Sequence, residues 1–164
     1  MRPLGLATAL ALCAAVAWLV VPPGDGTGAR AWADLVLRAD DGREVLRKGL
    51  PRDGRFSLTY RNSVYGASVS EEFRASTDAR LTLMAVWSDR LAVLEEYYGL
   101  PTAAVDGTGW RSAVEPGRVF EELRLVPDRL GERALRVEGS ETPLAGLVAE
   151  GDVLVLRLDP SGVR

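Results

Sequence analysis

Histidine is absent from this 164-residue chain, and cysteine and lysine occur once each, at Cys13 and Lys48. Without histidine there is no imidazole to activate a serine, shuttle protons near neutral pH or ligate zinc. Cys13 lies inside an apolar run, so the rest of the chain has no thiol and forms no internal disulfide. Charge of one sign is lacking too. Twenty basic residues, all arginine except Lys48, stand against 23 acidic ones, for a net charge of -3. That mixture argues against a nucleic-acid partner. No internal repeat or long low-complexity region interrupts the sequence.

What is present begins with residues Pro3 to Val21, an apolar stretch preceded by Arg2 and followed by the breaker Pro22-Pro23-Gly24-Asp25-Gly26. Its length exceeds the usual signal-peptide core of about 7 to 15 residues and matches a helix able to span hydrocarbon. Residues 1–21 are therefore expected to act as an uncleaved signal anchor. Cleavage at Ala31-Trp32-Ala33, which would release a secreted form, is the alternative. Leu10-Ala11-Leu12-Cys13 departs from a lipoprotein box, because Leu12 is large and apolar sequence continues beyond it. Arg2 before the run and Asp25 after it place the remainder on the extracytoplasmic side of the cytoplasmic membrane. Residues 22–32 read as a flexible tether. Residues 33–164 suffice for one domain.

Within that domain the strand period dominates. Ala33 to Arg38 and Glu44 to Lys48 flank Asp40-Asp41-Gly42 as a hairpin. Phe56, Leu58 and Tyr60 alternate with Ser57, Thr59 and Arg61, and a second strand from Val69 to Arg74 returns after Gly66. Leu81 to Trp87, Trp110 to Val114, Arg118 to Val126, Ala134 to Glu138 and Val153 to Leu158 add further strands, with Asp159 to Arg164 as a frayed tail. Ser88 to Gly99 reads as a short helix near 89–98, capped by Ser88, carrying Leu91, Leu94 and Tyr98 on one side and closed by Gly99. Pro101 to Gly109 reads as a loop. The expected fold is mainly β, a single antiparallel sandwich or barrel-like domain following an N-terminal membrane helix.

If Val69 and Phe73 point inward, so does Glu71. Glu71-Glu72, Glu95-Glu96 and Glu121-Glu122 each sit beside apolar or aromatic residues. Inward members that met could bind a cation or share a proton, whereas pairing with arginines across strands is the blander outcome. Asp40-Asp41-Gly42 and Asp25-Gly26 lack a calcium ligand spacing and are explained as turns. Trp32, Trp87, Trp110, Tyr65, Tyr97 and Tyr98 suit a cleft or interface as well as a core. Trp87 is expected in the core, and Trp32 near the lipid headgroups.

The run Tyr60, x, Asn62, Ser63, Val64, followed by Val69, Glu71 and Phe73, resembles domain-of-unknown-function family 1850, whose segment reads Tyr-x-His-Ser-Val and then Val-x-Glu-x-aromatic. Gly99-Leu100-Pro101 is similar to the end of that family's Gly-Ala-Gly-Leu-Pro segment. Two departures stand out: Asn62 replaces the family histidine, and the interval from Phe73 to Gly99 is longer. The resemblance implies a small exported or membrane-anchored protein associated with TRAP transporters that use TAXI-type solute-binding proteins. The expectation is thus a non-enzymatic accessory or interaction protein without cofactor or metal, with TRAP transporter subunits as partners and Tyr60, Asn62, Ser63 and Glu71 as its motif. A small-ligand or cation-binding module with an aromatic and carboxylate-lined cleft is the alternative. Ser63 lacks an activating base, and Lys48 lies outside the motif, so a serine hydrolase is not expected. Glu71 is expected to make a buried structural contact with Tyr60, Asn62 or Ser63 rather than to catalyse.

Overall fold

A computed structural model describes residues 32–101 and 104–159. The expected signal anchor, nearly all of the tether and residues 160–164 lie outside the described residues. Among the described residues no helix is long and apolar enough to cross a membrane. The strands are β1 (Asp34–Ala39), β2 (Glu44–Gly49), β3 (Arg55–Asn62), β4 (Ala67–Ala75), β5 (Leu81–Ser88), β6 (Ala104–Asp106), β7 (Gly109–Phe120), β8 (Leu123–Leu125), β9 (Ala134–Val137), β10 (Ser140–Pro143) and β11 (Leu154–Asp159). They form two antiparallel sheets, a smaller one ordered β2-β1-β11-β8 and a larger one ordered β10-β9-β3-β4-β5-β7-β6.

Period-two alternation explains how the sheets meet. Leu35 and Leu37 of β1 and Leu154 and Leu156 of β11 join Leu58 of β3 and Val69 and Phe73 of β4 in one buried cluster. Each fully buried leucine contributes about 1.5–3 kcal/mol relative to exposure. Phe56 and Phe73, opposite one another in the β3–β4 register, stack with ring centroids 5.2 Å apart. The β3–β4 hairpin turns through Ser63 to Gly66, where Gly66 has φ +59°, a conformation costly for any residue with a Cβ. β1 and β2 form the expected hairpin, and β1 also pairs with β11, so the first and last strands are central neighbours. Arg47 ties this sheet together by contacting Glu44, Asp34 of β1 and Asp159 of β11.

Local expectations are met in part and otherwise corrected. The short helix expected near 89–98 is present over residues 91–97, with Val93–Tyr97 π-helical and Tyr98 N donating to Val93 O at 3.1 Å. Ser88 Oγ accepts from Arg90 N, and Gly99, at φ +62°, closes the turn as expected. The segment expected as one strand from Arg118 to Val126 is divided. Residues up to Phe120 belong to β7 in the large sheet, and Leu123–Leu125 form β8 in the small one. The loop after Pro101 contains edge strand β6, paired with β7. Asp159 is paired with Asp34 rather than frayed.

Trp87 is not in the core. Met84 is an extra residue where β5 pairs with β4, since Glu72 opposes Ala85 while Phe73 opposes Leu83. That bulge reverses the phase, so Leu81 and Leu83 face inward but so do Val86 and Ser88. Trp87 then lies on the outer face, its Nε1 donating to Asp106 O at 3.2 Å. Trp32 packs against the domain, with Nε1 donating to Pro51 O at 2.7 Å.

Candidate functional site

Glu71 sits in the middle of β4, opposite Leu58 of β3 and Val86 of β5, on the face shared by Val69 and Phe73. Its partner comes from the end of the π-helical turn: Tyr98 Oη donates to Glu71 Oε1 at 2.5 Å. Tyr60 Oη lies 2.6 Å from Tyr98 Oη. Because Tyr98 gives its single proton to Glu71, Tyr60 donates to Tyr98, and the chain runs Tyr60 to Tyr98 to Glu71. Arg133 places its guanidinium 4.8 Å from the centre of the Tyr60 ring, a cation–π contact.

Burial sets the electrostatics. It raises the Glu71 pKa above the ordinary carboxylate range, against the opposing pull of the Tyr98 hydrogen bond and the Arg133 charge. Burial also pushes the Tyr60 phenol up to about 12. The Tyr98 phenol is raised further, by burial and then by the adjacent Glu71 charge. Both tyrosines therefore hold their protons as donors throughout the physiological range.

The four motif residues divide into two groups. Tyr60 reaches Glu71 through Tyr98. Asn62, only 5% exposed, instead spans the hairpin turn, its Oδ1 accepting from Val64 N at 3.0 Å and Tyr65 N at 3.2 Å. This backbone role suits the short amide of asparagine. Ser63 is exposed in the same turn and, with Tyr60, Asn62 and Val64, borders a depression of about 240 Å³ at the hairpin tip. The direct contact of Glu71 is thus Tyr98 rather than Asn62 or Ser63. Tyr98 was legible only as an aromatic on a helical face. Arg133, after a Gly131-Glu132 turn, carried no sequence signal.

Of the paired glutamates, Glu72 faces outward and holds Arg111 with two bonds of 2.9 and 2.6 Å. Glu122 engages Arg157 and Arg124. Glu96 accepts from Tyr65 Oη at 3.0 Å. Glu95 and Glu121 are exposed. The inward members do not converge, and among the described residues no group of three or more acidic, histidine or cysteine side chains is placed to hold a metal ion.

Beside Glu71 the sheets part into a cleft of about 280 Å³, between edge strand β8 and the inner face of the large sheet. Leu58, Phe73, Leu83 and Phe120 supply apolar walls, and Glu71, Glu122, Arg124 and Arg133 the charges. Phe120 meets Phe73 edge to face at 6.4 Å. An arrangement of this kind can accept a hydrogen bond or a positive charge at Glu71. What fold and site define together is an antiparallel two-sheet β domain with one largely buried acid at the wall of a cleft lined by apolar and charged side chains. No protein-family model, curated protein or solved structure matches the chain.

Proposed function

We propose that the chain is a non-enzymatic extracytoplasmic interaction domain, anchored in the cytoplasmic membrane through residues 3–21, that serves as an accessory of a TRAP-type solute-uptake system. The partner class follows from the resemblance to family 1850. The observation that carries the interaction role is the hairpin tip. There Val64, Tyr97, Val126 and Leu130, which are 77, 58, 47 and 81% exposed, line one depression. Clustered exposed apolar side chains at this level mark a surface that another molecule covers. Trp32, where the chain enters the described fold, packs at the opposite end of the large sheet, close to Gly54 and Ala75. The tip is about 25 Å from that entry, at roughly 3.3 Å per strand residue.

The test is site-specific photo-crosslinking in native membranes from position 64, with position 74 on the outer sheet face as control. Adducts with TRAP membrane or solute-binding subunits from position 64 alone are expected. Equal adducts from both positions, or none with transporter subunits, would overturn the role.

A second reading, a small-ligand-binding module, is favoured by the cleft beside Glu71, which combines apolar and charged side chains and shares only Arg133 with the tip depression.

A further inference from the structure

The polar contacts around the Glu71 cleft leave an unequal remainder. Of its four charged groups, Glu122 is held by Arg157 and Arg124. Arg124 also contacts Asp40 at 3.2 Å. Glu71 and Arg133 are different. Tyr98 occupies Oε1 of Glu71, while Oε2 receives no hydrogen bond from any described residue. No buried side-chain oxygen among the described residues lacks a partner, so Oε2 is not sealed in the protein but opens to the cleft that Glu71 lines. Arg133 has no ion pair among the described residues, and its guanidinium is held by the Tyr60 ring. Glu71 and Arg133 therefore line the same cleft and attract one another across it without a direct ion pair.

Because they attract only at a distance, both groups keep hydrogen-bonding positions open to a ligand. The accessible apolar walls of the cleft are Phe120 and Leu123, with Leu58, Phe73 and Leu83 packed in the core behind them. A ligand that satisfies both must carry an ammonium for Glu71 and a carboxylate for Arg133, each through charge-assisted hydrogen bonds. Its remaining surface must be apolar to match those walls. The volume, about 280 Å³, lies just below the range of roughly 300–1,000 Å³ typical of sites for drug-sized molecules, which restricts the ligand to a small one.

We propose that this cleft binds a free apolar α-amino acid, its ammonium on Glu71 Oε2, its carboxylate on Arg133 and its side chain against Phe120 and Leu123. The assignment rests on the ligand-binding reading and supplies the ligand class. Tyr60 and Tyr98 are positioning residues: Tyr98 fixes the Glu71 carboxylate, and Tyr60 fixes both Tyr98 and the Arg133 guanidinium.

Calorimetric titration of the detergent-solubilised full chain with L-phenylalanine and L-leucine tests this, using N-acetyl-L-phenylalanine, L-phenylalaninamide and 3-phenylpropionate as probes lacking one or other charge. Saturable binding of both amino acids is expected. Removing either ligand charge should weaken it by about tenfold or more, the size of one charge-assisted hydrogen bond. Glu71→Gln should weaken phenylalanine and phenylalaninamide alike. Arg133→Met should weaken phenylalanine and leave phenylalaninamide unchanged. Circular dichroism melts establish that each variant is folded. If only a singly charged probe binds, and Glu71→Gln or Arg133→Met abolishes that binding, the cleft is a ligand site and the amino-acid assignment is wrong. If no probe binds at concentrations up to about 10 mM, or folded variants bind all probes as the parent does, the ligand-binding reading falls with it.

Discussion

Glu71 and Glu72 are adjacent on β4, yet they inhabit opposite electrostatic worlds. Glu71 faces the interior, where burial raises its pKa and tyrosine hydroxyls are its nearest partners. Glu72 faces out, where the Arg111 hydrogen bonds hold its pKa below the ordinary range. The two carboxyls differ only in the side of the sheet to which the pleat assigns them. A sheet one residue out of register would exchange them, placing the arginine-paired acid in the core. The difference teaches that the acid inside this domain is held by a hydrogen-bond donor, whereas the acid outside is held by a counter-ion.

The largest break in that contrast comes from the next pair along β4. Phe73→Ala removes a buried ring that touches both Phe56 and Phe120, and is expected to cost about 3–5 kcal/mol in urea denaturation. Arg74→Ala on the outer face should stay within about 0.5 kcal/mol. Next in size is Tyr98→Phe, which strips Glu71 of its donor and should cost about 1–3 kcal/mol. Combined with Glu71→Gln, the loss should fall short of the sum of the two single changes, because both act on one bond.

The pH dependence sharpens the comparison through its sign. Glu71, with a raised native pKa, binds protons more tightly folded than unfolded. Its contribution is fully present below the unfolded value of about 4.3 and is lost as pH rises through the native value. Glu72, with a lowered native pKa, contributes above the unfolded value and loses that contribution as pH falls through the native one. Denaturation curves across this range should therefore show the Glu71→Gln variant gaining on the parent as pH rises, and the Glu72→Gln variant losing to it. The smallest effect belongs to the outer pair itself. At constant neutral pH, Glu72→Gln should cost about 0–1 kcal/mol, and less in high salt, because both partners are well exposed.

The inward phase of Glu71 was legible because β3 and β4 pair without interruption from Asn62↔Ala67 to Arg55↔Arg74, so simple alternation holds over the whole hairpin. The same logic misplaced Trp87, because the bulge at Met84 shifts the phase and nothing in Leu-Thr-Leu-Met-Ala-Val-Trp announces it. Strands β6 and β10 escaped notice for another reason. Ala104-Val105-Asp106 is exposed throughout and Ser140–Pro143 largely so, with a proline that suits an edge. Such strands exist through pairing rather than through a buried face. At the site, Asn62 and Ser63 were grouped with Glu71 by spacing, but a turn residue and the middle of a strand are neighbours only in sequence. Tyr98 and Arg133 arrive from distant segments, and only tertiary structure brings them to Tyr60.

The pairing of β1 with β11 makes the small sheet dependent on the order in which the chain is made. The β1–β2 hairpin exists early, but its other neighbour is the last strand, more than a hundred residues later. Until Leu154–Asp159 emerges, Leu35 and Leu37 lack the partner strand that helps cover them, and the inner face of the large sheet lacks part of its lid. Closure of this kind is slow, because it joins segments far apart in the sequence. A stop after Leu154 would remove most of a central strand and leave β1 as an open edge.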